Sequence, residues 1–380
     1  MTHGRLLNSP AELTDGLCPR LVEAGAPLWR LRFAPRLANP LLRAWGIVWR
    51  RDDGAAQEYA VEHGVNLTSV YIGSPFEYVI EKRQRFRRRL TDLDPETDHT
   101  ALHDVAEAGG TDFLALPMLF HDGSAQGVSL ATDRPTGFTD GDIASFERII
   151  GYLTPVIEVM AGARSTGSLL KTYLGTDPAA AVLGGAVRRG DVRTMEAVVL
   201  MADLRGFTAK SLAWQADDLL HALSTYFEVI CEAVAGADGD VLKFIGDGVL
   251  AIFPVDGRNG SNAASRAGLA ACADAHRRML DANAQRRQAG RDPLDFVVSL
   301  HRGPVTYGNI GGADRLDFTV IGPAVNVASR LQGLCKALGV FGLTTESVAQ
   351  HAPSDLPSCG RHDLPGIPDP VPIFEIPSGA

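Results

Sequence analysis

At 380 residues, 45% hydrophobic and 21% charged, the chain has ordinary globular composition and the length for two cores, while a net charge of −9 argues against a general nucleic-acid surface. The five cysteines (Cys18, Cys231, Cys272, Cys335, Cys359) show no CxxC or metal-ligand spacing and read as packing residues in a reducing compartment. No apolar run approaches the roughly 20 residues of a membrane span and MTHGRLLNSPAELTDG lacks a signal-peptide core, so the expected location is cytoplasmic, with no membrane span.

Residues 1 to about 30 read as a polar leader with an amphipathic stretch, and the first clear core begins at LLRAWGIVWRR (41 to 51), an alternating strand pattern. EKRQRFRRRL (81 to 90) reads as a solvated helix face rather than a surface for an acidic partner. From 113 the pattern gives a strand, an HDGS turn, a second strand, and a helix opened by a capping box of Thr139 and Asp142 that runs to about Ala163. Residues 164 to 191 read as a helical connector interrupted by Gly175 and Gly184.

From Glu196 the order is strand, helix (213 to 237), hairpin (240 to 254), helix (261 to 289) and a further hairpin (295 to 310). A strand, crossover helix and hairpin make a split βαβ unit, with the second arm of the hairpin between the first strand and the first arm. Asp203, at the end of the first strand, and Asp247, at the tip of VLKFIGDGVLAIFP, then fall side by side on one sheet edge. Asp between glycines is also what a tight turn uses, and Asp203 alone could be a strand-end cap. Together they form an oxygen-rich pair suited to Mg²⁺ or Mn²⁺. LRGFTAKS, between them, offers backbone N–H groups at a helix start, where phosphate oxygens are favoured. Further on, Pro323 suits the first turn of a helix that puts Asn326 and Arg330 on one face.

Three ordered motifs, ADLRGFT, KFIGDGVLAIF and DFTVIGPAVNVASRL, followed by the closing LPGIPDPVPIFEI, make residues 193 to 376 resemble the catalytic domain of the class III nucleotidyl (adenylate/guanylate) cyclases. The resemblance implies an α+β fold with a ferredoxin-like core that dimerises head to tail, each site built from both chains. It implies that Asp203 and Asp247 of one chain hold two metal ions, with Leu204 as a further ligand and Phe207 and Thr208 among the substrate contacts. Lys243, Asp317, Asn326 and Arg330 then come from the other chain. In that reading the metals acidify the ribose 3′-hydroxyl and clamp the leaving pyrophosphate, Arg330 meets charge growing on the α-phosphate, and Asn326 holds the ribose in line.

Lys243 and Asp317 decide the base. Adenine offers an acceptor at N1 and a donor at N6, which a lysine and an aspartate satisfy, whereas guanine reverses both, so ATP is the expected substrate. The alternatives are a guanylate cyclase, or a degenerate nucleotide sensor that signals by dimerising. Two positions depart from the family pattern: Pro323 stands where many members have an acidic residue, and Pro365 where many have a basic residue that grips the triphosphate. Residues 113 to 160 resemble part of a GAF-type sensory domain. The expected organisation is therefore a GAF-like regulatory domain at 1–163 with an unknown ligand, a connector at 164–192 and a cyclase domain at 193–380, working as a homodimer.

Overall fold

Alternation of apolar and polar residues before residue 133 folds into a six-stranded antiparallel sheet, in a computed structural model that describes residues 9–255 and 260–378. The chain divides into two compact units, Met1–Thr172 and Tyr173–Ala380. In the first, the elements run α1 (Pro10–Glu23), β1 (Arg30–Phe33), β2 (Leu42–Arg50), β3 (Gln57–Glu62), α2 (Pro75–Lys82), β4 (Phe86–Arg89), α3 (Thr100–Glu107), β5 (Asp112–Leu119), β6 (Ala125–Thr132) and α4 (Asp140–Leu174). The strand order is β3-β2-β1-β6-β5-β4. The pleat sends Leu31, Phe33, Ile47, Leu114 and Leu130 into a core with α1 and α4, and Phe113, Ala115 and Ala131 into a second with Val79, Leu102 and Val105 of α2 and α3.

Three expectations for this unit change. The supposed polar leader contains α1, capped where the Ser9 side chain accepts from Glu12 N at 3.1 Å, and its Leu13 and Cys18 are buried, so the core starts well before residue 41. The arginine-rich stretch is not a solvated helix face. The helix α2 stops at Arg83, whose φ is 56°, and Arg87, Arg88 and Arg89 lie on the edge strand β4, where Arg87 donates to the buried Asp112 at 2.8 Å and Arg88 to Asp98 at 2.8 Å. The third concerns α4. Its capping box is present, with Thr139 N donating to Asp142 at 2.8 Å and Asp142 N to Thr139 Oγ1 at 3.2 Å, but the helix continues past Ala163 to Leu174.

The second unit runs α5 (Thr176–Leu183), β7 (Val192–Leu204), α6 (Phe207–Ala213), α7 (Ala216–Gly236), β8 (Asp240–Ile245), β9 (Gly248–Pro254), α8 (Gly260–Gln288), β10 (Phe296–Gly311), β11 (Leu316–Ile321), α9 (Pro323–Leu338), β12 (Gly342–Thr345), α10 (Glu346–Ala349), β13 (Ser358–His362) and β14 (Val371–Ile376). Gly175 and Gly184 bracket α5 as its N- and C-cap residues. The sheet order is β13-β14-β12-β10-β7-β9-β8, with β11 paired to β10. β9 thus lies between β7 and β8, the arrangement expected of a split βαβ unit. The segment 295–310 is one strand rather than a hairpin, because β10 stays in register with β7 from Phe296 to Gly308. Pro304 falls between the stretches of β10 paired to β12 and to β11, where a missing N–H interrupts neither ladder, and Gly303 admits α9, since a Cβ there would lie 3.2 Å from Ala324 Cβ. By length and composition α7 could cross a membrane; Ala222, Tyr226, Ile230 and Val234 of this helix are buried in the core of the unit.

Candidate active site

Asp203 is the penultimate residue of β7 and stands opposite Gly248, the first residue of β9, so the hairpin tip carries Asp247 directly beside it. Gly246 makes the tip possible with φ 63°, a conformation that costs a side-chain-bearing residue energy. The Asp203 side chain is only 14% exposed and forms an ion pair with Lys336 of α9. Burial raises the Asp247 carboxyl above the usual carboxylate range, the Asp203 charge and a hydrogen bond with Asp203 push the same way, and Lys336 opposes them. The Tyr226 hydroxyl is sealed in the core with no hydrogen-bond partner among the described residues, its pKa raised first by that burial and then by the two aspartates.

Two neighbouring carboxylates, one of which raises the pKa of the other, suit a divalent cation that offsets their combined charge. No group of three His, Cys, Asp or Glu side chains converges among the described residues. Any further ligands would therefore be backbone carbonyls, such as that of Leu204, water, or substrate oxygens. That oxygen-only, partly borrowed set is the coordination Mg²⁺ and Mn²⁺ accept.

Lys243 of β8 and Asp317 of β11 form a second pair at 2.5 Å. Asn326 and Arg330 lie on the exposed side of α9, whose opposite face buries Ala324, Val327, Ala328 and Leu331. The aspartate pair with Lys336 and the Lys243–Asp317 pair are two groups, with no ion pair between them among the described residues. Phe207 packs its ring against the core, while Thr208, beside it in α6, is exposed and its carbonyl accepts from the Ser211 hydroxyl.

Residues 191–351 match the family model of the adenylate and guanylate cyclase catalytic domain. They are a class III cyclase catalytic domain. The cyclase domain is 33% identical over 162 residues to an adenylate cyclase of Anabaena cylindrica, a match covering 43% of this chain and 32% of that protein. It is likewise 33% identical over 156 residues to adenylate cyclase 1 of Rhizobium meliloti (strain 1021), covering 40% of this chain and 23% of that one. The chain therefore spans no more than a third of the length of either relative. A bacterial light-regulated adenylyl cyclase shares the fold at TM-score 0.51 and 15% identity, over 70% of this chain and 86% of that one.

Besides Tyr226, two residues of the cyclase domain carry signals that composition and motif spacing do not. Lys336 follows the last motif by a turn and a half of helix, and only folding brings it to Asp203. Thr319 sits two positions beyond Asp317 on the same pleat face of β11, buried with its hydroxyl unpartnered among the described residues.

Proposed function

We propose that the cyclase domain converts ATP to 3′,5′-cyclic AMP and pyrophosphate at a site completed by a second copy of the chain. The observation that carries this reading is the placement of Asp203 beside Asp247 on one sheet edge, a carboxylate pair with no ligand-rich shell of its own. Mg²⁺ or Mn²⁺ held there would acidify the ribose 3′-hydroxyl and screen the triphosphate. The 3′-oxygen bonds to the α-phosphorus as the bond to pyrophosphate breaks, and the hydroxyl proton passes to solvent.

The residues of this chain position and stabilise that exchange. Lys243 donates to adenine N1 and Asp317 accepts from N6, exchanging their mutual ion pair for the base. Asn326, on the exposed side of α9, holds the ribose, and Arg330, one turn on, meets charge developing on the α-phosphate. Exposure of both on a free helix face is what a site shared across a head-to-tail homodimer requires, since their substrate is bound to the partner's aspartates. The names of the curated relatives favour ATP over GTP as substrate.

Residues 1–163 act in this reading as a GAF-like sensory domain, whose ligand biases the dimer between arrangements that it binds unequally. The expected setting is cytoplasmic, with ATP as substrate and no nucleic-acid partner. Purified chain given ATP or GTP with Mn²⁺ tests the reading: cyclic AMP from ATP is expected, and no cyclic product from either nucleotide would leave a nucleotide sensor.

A further inference from the structure

The strand β1 points two arginines inward. Leu31 and Phe33 face the core formed with α1 and α4, so the pleat directs Arg30 and Arg32 to the opposite face, which α2 and α3 cover. Arg50 of β2 stands directly across from Arg30 in the strand register. The three side chains line a cavity of about 70 Å³ whose walls include Phe76 and Phe113 and whose single lining acid is Asp104.

The charges in this cavity do not balance. Arg32 is held by the Tyr59 hydroxyl at 2.6 Å and lies over the Tyr59 and Phe76 rings at 4.9 and 5.4 Å. Arg30 has no such support: its Nε is sealed from solvent and lacks any hydrogen-bond partner among the described residues. Burial, followed by repulsion from Arg32 and Arg50, pushes its pKa down to about 10. A guanidinium whose Nε is cut off from water and left without an acceptor is costly, and Asp104, which attracts it, is one carboxylate against three cations.

We propose that this cavity binds one small oxyanion group, a carboxylate or a phosphate, between the guanidinium groups of Arg30, Arg32 and Arg50. The forked donors of arginine match both groups in geometry. A space of about 70 Å³ suits an anionic group of a few heavy atoms. The site lies wholly within the first unit, and its test does not depend on catalysis.

Calorimetric titration of the full chain with inorganic phosphate, and separately with acetate, at constant ionic strength reads the binding. At least one probe should bind saturably, with affinity weakened about tenfold or more in Arg30→Gln and in Arg50→Gln. Phosphate alone would assign a phosphorylated ligand, acetate alone a carboxylate, and both an oxyanion site indifferent to the two. In chloride buffer Arg30→Met should melt above the wild type, because it removes a buried unpaired charge; a purely structural arginine would give the opposite sign. Should Arg30→Gln not fold, the half-buried Arg50→Gln carries the comparison. Absence of saturable binding by either probe, or binding that survives Arg50→Gln unchanged, overturns the proposal.

Discussion

Lys243 and Asp317, 74 residues apart in sequence, meet as an ion pair at 2.5 Å across β8 and β11. Each is the complement of the other, and in the proposed reading the two together complement the Watson–Crick edge of adenine. Replacing either by Ala should lower kcat/KM for ATP by roughly 10- to 100-fold while leaving the weaker turnover of GTP little changed. Steady-state kinetics with both nucleotides checks this, and equal losses for ATP and GTP would remove the role in base recognition.

Asp247→Asn should lower turnover by on the order of 10²–10³-fold or more, because the proposed metal site would keep only one of its two carboxylates. The hairpin tip itself should be unaffected, since Asn suits the same turn. Activity across a Mn²⁺ series together with a thermal melt measures both. Near-wild-type activity would remove Asp247 from the site.

Lys336 brings a cation to Asp203, and in the proposed reading it supplies a positive charge for the triphosphate of a chain that has Pro365 where the resemblance leads one to expect a basic residue. Lys336→Ala should raise KM for ATP by roughly tenfold, with a smaller change in kcat, as expected when a contact made equally in ground and transition states is lost. An unchanged KM would limit Lys336 to neutralising Asp203 in the free protein.

Asp240, on β8, faces the start of α5, whose cap residue Gly175 has no side chain. It accepts from the Thr176 and Asp177 N–H groups, yet burial outweighs those bonds and raises its carboxyl to about 6; Oδ2 is buried with no hydrogen-bond partner among the described residues. A carboxyl raised in the folded state contributes stability that is fully present below its unfolded pKa near 3.8 and is lost as pH rises through about 6. Asp240→Asn, which keeps the accepting oxygen, should therefore melt near the wild type at pH 4 and above it at pH 8. After discounting for solvent screening the gain is on the order of 1 kcal/mol. Thermal melts at the two pH values test it, and a variant less stable at pH 8 would contradict the assignment.

Much of the catalytic unit was legible because its chemistry sits at strand ends and turns, which punctuation residues mark. Gly246 and Gly248 announce the hairpin that carries Asp247, and Pro323 announces the helix that carries Asn326 and Arg330. The single strand β10 was not legible, because Gly303 and Pro304 imitate a turn; only the register with β7 and the approach of α9 show why they are tolerated in a strand. Lys336, Thr319 and Tyr226 were missed for a different reason. Their meaning comes from tertiary neighbours, an aspartate across the fold or a hydroxyl left unpaired, and neither has a local pattern. In the first unit the run of arginines looked like a solvated face, and Asp112, well separated in sequence, turns it into a paired strand.

Two inactive variants mixed together test the shared site most directly. If Asp203 serves the metals of one half-site while Arg330 reaches in from the partner, each heterodimer of Asp203→Asn and Arg330→Ala chains contains one intact site. Equal mixing should then restore cyclic AMP formation from ATP to about a quarter of the wild-type rate per chain, while each variant alone stays inactive. No restoration, with subunit exchange demonstrated in the same samples, would contradict a site built from two chains.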